Sequence, residues 1–262
     1  MTKRRIDQLL VERGLAESRH KAQAMLLAGQ VLANEQKVDK PGRMVDAGVL
    51  IRILEKLPFA SRAGAKLQAA LDYFHISPRD RVCADLGAST GGFTDCLIQN
   101  GACLVYAFDV GKGQLAWKLR SDPRVVVRDE FNVRNISSRD LPNGISLVTV
   151  DLSFISLTKI LSPLKNAVVE MGGSRKDRLP NLQVDFVLLV KPQFEVGKGE
   201  VGKGGIVRDS EKRRKALESV EAFARCIGLQ VVGSIVSPIP GSKGNEEFLL
   251  YLKLAPDLSS SP

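Results

Sequence analysis

The run Asp85-Leu86-Gly87-Ala88-Ser89-Thr90-Gly91-Gly92-Phe93-Thr94 constrains this chain more than any other segment. An apolar stretch, Val82 to Ala84, enters it, and an amphipathic helix over residues 93–99 leaves it, closed by Gly101. Strand, tight glycine turn and helix in that order build a nucleotide-type pocket, because small residues let the backbone approach a ligand closely. Gly87, Ala88, Ser89, Gly91, Gly92 and Phe93 are therefore candidate ligand-binding positions. The spacing differs from the dinucleotide pattern G-x-G-x-x-G, and an acid, Asp85, closes the strand. A carboxylate there suits the cationic amine of the amino-acid part of S-adenosylmethionine. A pyrophosphate would instead prefer helix N-terminal amides with no negative charge beside them. The competing reading is a glycine-rich turn of any doubly wound domain.

After residue 60 strands and helices alternate, which is the pattern of an α/β sheet with parallel strands. Leu104 to Phe108, Val125 to Val127, Ile145 to Val150 and Gln183 to Val190 read as strands, followed by Leu229 to Ser237 and Glu247 to Leu254. Leu67, Ala70, Leu71 and Phe74 mark one helix face, and Ala216, Leu217, Val220, Phe223, Ala224 and Ile227 mark another. Strand ends of an open α/β sheet gather on one rim, so Asp85, Asp109, Asp151 and Lys191 can share a crevice. Asp109, ending the second strand, is placed either to take both hydroxyls of a ribose or to cap the following turn. Asp129, ending the third, suits adenine recognition, with Asn132 a further candidate. Lys66 falls at a helix start, a poor electrostatic position for a cation serving stability alone, so it is either placed for function or merely solvated.

Residues 1–60 have a different pattern. Ile6, Leu9, Leu10 and Leu15 form an apolar face ended by Gly14, and Ser18 is a candidate cap for a helix with Ala22, Met25 and Leu26 inward, stopped by Gly29. Short strands fit Val31 to Ala33 and Val49 to Leu54, and Pro58 breaks the chain before the second domain, residues 61–262. This module carries 11 Lys and Arg against 7 Asp and Glu, a net +4, within a chain of net +9. Such a balance favours an anionic partner, nucleic acid first. Arg4, Arg5, Arg19 and Lys21 lie near helix starts, where they either reach phosphates or form an ordinary solvated face.

Composition narrows the remaining classes. Apolar runs such as Phe186 to Val190 are far too short for a membrane span, and Met1 to Asp7 does not lead into a signal-peptide apolar region, so a cytoplasmic protein without stable membrane insertion is expected. Cys83, Cys96, Cys103 and Cys226 form no C-x-x-C pair and have only His20 and His75 beside them, so no metal is expected and the thiols should be reduced and mostly buried. For the reaction, the Asp151-Leu152-Ser153-Phe154 segment is no Asn-Pro-Pro-Tyr type grip for an exocyclic amine, and no cysteine follows a proline as a nucleophile for pyrimidine carbon would. A hydroxyl acceptor remains. Deprotonating a ribose 2′-hydroxyl calls for a neutral amine poised over it, with acids to orient and balance the cations.

These segments also carry a resemblance. Arg5-Ile6-Asp7-x-x-Leu10, Gly14-Leu15-x-x-Ser18-Arg19-x-x-Ala22, Gly29-x-Val31 and Val38-x-Lys40-Pro41 resemble an S4 RNA-binding domain, with Ala33-Asn34-Glu35 standing where Val-Asn-Gly is usual. Ser61-Arg62-x-Gly64-x-Lys66-Leu67, the Asp85 to Asp95 loop, Val110-Gly111-x-Gly113-Gln114-Leu115 and Asp151-x-Ser153-Phe154-Ile155-Ser156-Leu157 add to it. So do Lys191-Pro192-Gln193-Phe194-Glu195, Gly204-Gly205-Ile206-Val207-Arg208-Asp209 and Gly244-Asn245-x-Glu247-Phe248. Together the chain resembles the TlyA-type family, named both hemolysin A and ribosomal RNA cytidine-2′-O-methyltransferase, over residues 3–255. The resemblance implies a Rossmann-like S-adenosylmethionine-dependent sheet of FtsJ-like type behind a small α+β S4 domain. It implies a catalytic set Lys66, Asp151, Lys191 and Glu247, donor contacts that include Asp85, Asp109 and Asp129, and ribosomal RNA or ribosomal subunits as partner, with Arg62 among the RNA contacts. Arg128 to Asn132 departs from the family's Glu-Arg-Thr-Asn-type segment. A homo-oligomer stays open, and the alternatives are a noncatalytic RNA-binding or ribosome-assembly factor and, more remotely, a membrane-lysing protein.

Overall fold

The computed structural model describes residues 2–27, 29–53, 58–172, 183–197, 199–202 and 204–254. Two compact units divide the chain, Met1–Leu57 and Pro58–Pro262. In the first, β1 (Lys3–Arg5), α1 (Ile6–Glu12), α2 (Arg19–Leu27), β2 (Val31–Ala33), β3 (Gln36–Lys37), β4 (Met44–Asp46) and β5 (Ile51–Ile53) follow one another. The strands pair antiparallel as β3-β2-β5 and β1-β4. Ile6, Leu10, Ala22, Leu26, Val31 and Val38 are fully buried between them. Ser18 caps α2, its hydroxyl accepting from the Lys21 amide at 3.2 Å.

Three details differ from the sequence reading. Leu15 is 36% exposed instead of facing the core, because α1 ends at Glu12 and the left-handed Gly14 (φ +68°) turns the chain away. The strand expected over Val49 to Leu54 pairs only at Ile51–Ile53, and Leu54 lies outside the described residues. The β2–β3 turn keeps a two-residue geometry with positive φ at both Asn34 (47°) and Glu35 (60°), although glycine is missing. Arg52 holds the Glu35 carboxylate at 2.6 and 3.1 Å, and the Leu50 amide donates to Asn34 Oδ1 at 3.1 Å, contacts that offset the backbone cost.

The second unit runs α3 (Ala63–Tyr73), β6 (Val82–Leu86), α4 (Gly92–Gln99), β7 (Leu104–Phe108), α5 (Trp117–Arg120), β8 (Val125–Arg128) and β9 (Ile145–Val150). It continues with α6 (Thr158–Met171), β10 (Val184–Val190), α7 (Pro192–Glu195), α8 (Ser210–Cys226), β11 (Gln230–Val236) and β12 (Phe248–Leu254). The seven strands order as β11-β12-β10-β9-β6-β7-β8, with β12 antiparallel to both neighbours and β10, β9, β6, β7 and β8 paired parallel. Continuous apolar runs such as Val187 to Val190 follow from burial on both faces. One face packs Phe108, Phe186, Ile160, Leu164 and Val220, the other Leu67, Leu71, Phe93 and Leu97. Burying each such side chain stabilises the fold by roughly 1.5–3 kcal/mol. At the edge away from the strand ends, Arg81 joins Asp185 at 2.8 Å and the Tyr251 hydroxyl donates to Asp185 at 2.8 Å, which ties β6, β10 and β12 together.

Strand order reverses between β6 and β9, the chain filling the sheet outward in one direction from β6 and in the other from β9. Loops leaving the two strands therefore diverge and open a crevice at their carboxyl ends, where open α/β sheets bind ligands. The cysteines need a correction: Cys83 and Cys96 are buried, but Cys103 and Cys226 are exposed. Burial pushes the Cys83 thiol up to about 12. Among the described residues no cluster of His, Cys, Asp and Glu has the makings of a metal site.

Candidate active site

A cleft of about 600 Å³ opens at this switch point, lined by Gly87 and Ser89 after β6, Asp109, Val110 and Gln114 after β7, Phe131 to Arg134 after β8, and Asp151 to Ile155 after β9. Gly87 is at φ +89°, and a Cβ there would strike the Asp151 carbonyl oxygen, so only glycine lets these two strand ends come together. Ser89 is left-handed as well (φ 48°), which brings its amide to Asp109 Oδ2 at 2.8 Å. The Gly111 amide donates to Oδ1 at 2.7 Å. Asp109 is thus both a turn cap and a half-exposed cleft acid, since a carboxylate with four lone-pair sites can hold two amides and still accept from two hydroxyls.

Asp85 is different. It is fully buried, with Oδ2 accepting from Thr94 Oγ1 at 2.6 Å and Oδ1 from Thr149 Oγ1 at 3.0 Å. Desolvation pushes its carboxyl up to about 7, against the pull of the two hydroxyls. In this structure Asp85 ties the glycine loop to β9 and α4, and Asp151, just after β9, is among the residues that line the cleft. At Asp129 Arg120 and the Gly113 amide both donate to Oδ2, at 2.7 and 3.0 Å, while Phe131, Asn132 and Val133 line that end of the cleft. Ala88, Gly91, Gly92 and Phe93 shape the loop from behind. Phe93 is buried, and Cβ atoms at Gly91 or Gly92 would collide with Leu119 or Ser61.

Two lysine–carboxylate pairs stand on the same rim. Lys191 Nζ lies 2.6 Å from Asp151 Oδ1 and donates to Ser153 Oγ at 3.0 Å. Lys66 Nζ, on α3, donates to Glu247 Oε2 at 2.6 Å, with the two side chains only 9% and 2% exposed. Register explains the meeting: Val190 pairs with Phe248, so Lys191 and Glu247 are the next step outward on adjacent strands. Gln193 Nε2 approaches Glu247 Oε1 at 3.4 Å. Among the described residues Gln193 Oε1 is a buried side-chain atom without a hydrogen-bond partner, whereas Asp151 Oδ1 has the Lys191 ammonium beside it.

The loop that carries Ser153 is pinned from the other side. Glu195 accepts from Ser156 Oγ at 2.6 Å and from the Leu157 amide at 2.9 Å, and burial holds its carboxyl above the usual range. Phe154 stands 87% exposed at the mouth of the cleft in a left-handed conformation (φ 64°), tilted on Phe194 at 5.1 Å. The sequence reading gave no role to Thr94, Thr149, Ser153, Gln193 or Glu195. A signal did exist for Thr149, a lone hydroxyl inside the buried run Ile145 to Val150.

In the first unit the basic residues are partly engaged. Asp7 is fully buried and accepts from Arg5 at 2.9 and 3.0 Å, from Arg19 at 3.0 Å and from Gln23 at 3.1 Å. The Arg5 guanidinium above all holds the Asp7 carboxyl far below the usual carboxylate range. Arg4 pairs with Glu12 at 3.0 Å, and Lys21 and Arg62 are exposed. Arg5 and Arg19 still show 39% and 52% of their side chains to solvent, so the ion pairs orient them without hiding them.

A crevice at the switch point, a glycine turn against a strand-end acid and a half-exposed acid on the next strand define a Rossmann-like methyltransferase domain of the S-adenosylmethionine-dependent class. The FtsJ-like methyltransferase family matches residues 59–254, and the S4 domain family matches residues 4–51. The chain belongs to the TlyA-type family, in which an S4 domain precedes an FtsJ-like methyltransferase domain. It is 42% identical to the 16S/23S rRNA (cytidine-2′-O)-methyltransferase TlyA of Mycobacterium tuberculosis, over 98% of this chain and 92% of that one. It is 41% identical to Hemolysin A of Brachyspira hyodysenteriae, over 94% of this chain and 98% of that one. A solved structure from Streptococcus thermophilus that carries the hemolysin name superposes with a TM-score of 0.69 at 43% identity, covering 100% of this chain and 93% of that one.

Proposed function

We propose that this protein transfers a methyl group from S-adenosylmethionine to the 2′-hydroxyl of a ribose, that of a cytidine, in structured ribosomal RNA. The observation that carries the reading is the pair of lysine–carboxylate contacts, Lys191–Asp151 and Lys66–Glu247, on one rim beside a nucleoside-sized cleft. The residues present fit the methyl donor: the cleft has the volume, and Asp109 lines it with lone pairs left over for ribose hydroxyls. When bound, the donor supplies an electrophilic methyl on a sulfonium.

The chain's own part is positioning and proton handling. Lys191 Nζ, fixed by Asp151 and Ser153, is the amine that takes or orients the hydroxyl proton. Glu247 and Gln193 hold Lys66 and the strand ends in register, so Lys66 supports the acceptor nucleotide as a fixed positive charge. Phe154 gives the nucleoside an exposed apolar face next to Ser153. Such orientation contributes much of the rate in a transfer that requires reacting atoms roughly 3–3.5 Å apart. In the S4 unit Arg4, Arg5, Arg19 and Lys21, with Arg62 at the start of α3, provide phosphate affinity, which should fall steeply with salt.

A noncatalytic role would leave the donor loop or the acid–base set free to decay, and both are built and paired here. As for membrane lysis, no helix among the described residues is long and apolar enough to cross a membrane. Mapping 2′-O-methyl positions in ribosomal RNA from cells with and without the protein tests the proposal. Loss of one or more cytidine methyl groups is expected, and an identical methylation map would overturn it.

A further inference from the structure

Trp117 is the only tryptophan of the chain, and it is 78% exposed. Scattered exposed apolar residues are ordinary, but an indole held out by its neighbours is less so. On either side Leu115 and Leu119 are 6% and 1% exposed and turn inward onto Gly91 of the glycine loop. The Ala116 amide bonds the Thr90 carbonyl at 3.2 Å and Arg120 bonds Asp129 at 2.7 Å, so the short helix α5 is fixed at both ends. Fixing it this way leaves Trp117 and Lys118 pointing outward. The Lys118 and Lys112 side chains are 77% and 76% exposed, each touching one acid, Asp95 at 3.4 Å and Glu130 at 3.1 Å, long contacts that phosphate oxygens can replace. Val110, at the mouth of the cleft, is 73% exposed on the same segment.

An exposed aromatic face with exposed ammonium groups on the same segment has the chemistry that single-stranded RNA recognises, bases stacking on the ring while phosphates meet the cations. We propose that Trp117 stacks on an unpaired base of the RNA substrate, with Lys118 and Lys112 on the adjoining phosphates, outside the pocket of the nucleotide being methylated. The proposal rests on the RNA-modifying reading above. It adds a contact made by the methyltransferase unit itself, separate from the S4 unit and from the four lysine and carboxylate residues of the rim. Charge complementarity selects RNA over a second copy of this chain, whose own net charge is +9.

A lone tryptophan makes the test direct, because all indole emission of the full-length protein reports on this one position. Two RNAs of equal length, a ribosomal hairpin with an unpaired loop and a fully paired duplex, are titrated while fluorescein anisotropy follows binding in parallel. Quenching of the indole by the loop RNA but not by the duplex is expected. Trp117→Ala should weaken loop-RNA binding about tenfold, as loss of one stacked base does. Trp117→Phe should keep most of the affinity, and calorimetric binding of S-adenosylmethionine should be the same in all three proteins. Unchanged indole emission at saturating loop RNA, or wild-type affinity in Trp117→Ala, overturns the proposal. So does a Trp117→Ala protein that binds RNA normally but changes from dimer to monomer in sedimentation, which would make Trp117 a contact between copies. Wild-type protein that binds neither RNA would defeat the underlying RNA reading itself, an outcome the anisotropy arm separates from the others.

Discussion

The two sides of the crevice use the same residue type in opposite ways. On the donor side, Asp85 and Asp109 close adjacent parallel strands and bond only neutral groups: threonine hydroxyls for the first, loop amides for the second. On the acceptor side, Asp151 follows β9 and Glu247 precedes the antiparallel β12, with β10 between them, and each touches a lysine ammonium at 2.6 Å. Neutral partners leave a carboxylate able to shape a loop or read a ribose without fixing a counter-charge. Ionic partners convert the neighbouring rim into a set of positioned cations whose cost is accepted only where charge develops in a reaction.

The largest break in that comparison should come from Lys191. Lys191→Ala is expected to slow single-turnover methyl transfer by roughly 10²–10⁴-fold with S-adenosylmethionine and RNA binding near normal, since the lost interaction belongs to the transition state. Lys191→Arg sharpens it, because arginine keeps the charge but cannot give up a proton at neutral pH. Near-normal turnover in that variant would leave Lys191 an electrostatic part only.

Next comes the buried pair. Glu247→Leu strands the Lys66 ammonium and should cost about 3–5 kcal/mol in denaturant unfolding, whereas Lys66→Met combined with Glu247→Leu should recover most of the stability and none of the activity. A double variant as unstable as the single one would argue that the pair is structural packing, not an arrangement kept for chemistry.

A smaller effect concerns pH and the donor side alone. The Asp85 carboxyl is raised to about 7 in the fold, so between the unfolded value and 7 it is protonated when folded and ionised when unfolded. Its contribution to stability is therefore full in acid and is lost as pH rises through about 7, a change of roughly 2–3 kcal/mol between about pH 5 and pH 8. Asp85→Asn should flatten that part of the urea-unfolding profile. An unaltered profile would mean that Asp85 is charged in the fold, and the contrast with Asp151 would weaken.

Last, Asp109→Ala should lower calorimetric affinity for S-adenosylmethionine by about 2 kcal/mol while leaving RNA binding alone. Wild-type donor affinity would remove Asp109 from the ribose role and leave it a turn cap.

The sheet was legible because its strands are unbroken apolar runs of strand length. Leu104–Phe108 and Ile145–Val150 coincide with their expected bounds, and Val184–Val190 begins one residue later than expected. The short edges of the S4 unit were less so. A two-residue strand such as Gln36–Lys37 has no periodicity to read and exists only because β2 offers it a ladder. At the site, the residue types were legible but their assignments were not. Nothing in the chain distinguishes Asp85 from Asp109, each the acid of a strand-then-glycine segment, until Thr149 on β9 and Thr94 on α4 are seen to enclose the first.

The sequence by itself determined the order of strand, glycine turn and helix and the basic S4-like module, because these depend on local pattern and residue chemistry. Tertiary structure alone decided which carboxylate is buried, which one faces the cleft and which lysine each acid holds. Lys66 and Glu247, 181 positions apart, meet only because α3 lies against β12 and β12 runs antiparallel to β10. Solvation and partner identity arise from neighbours across the sheet, and those neighbours are set by strand order and register.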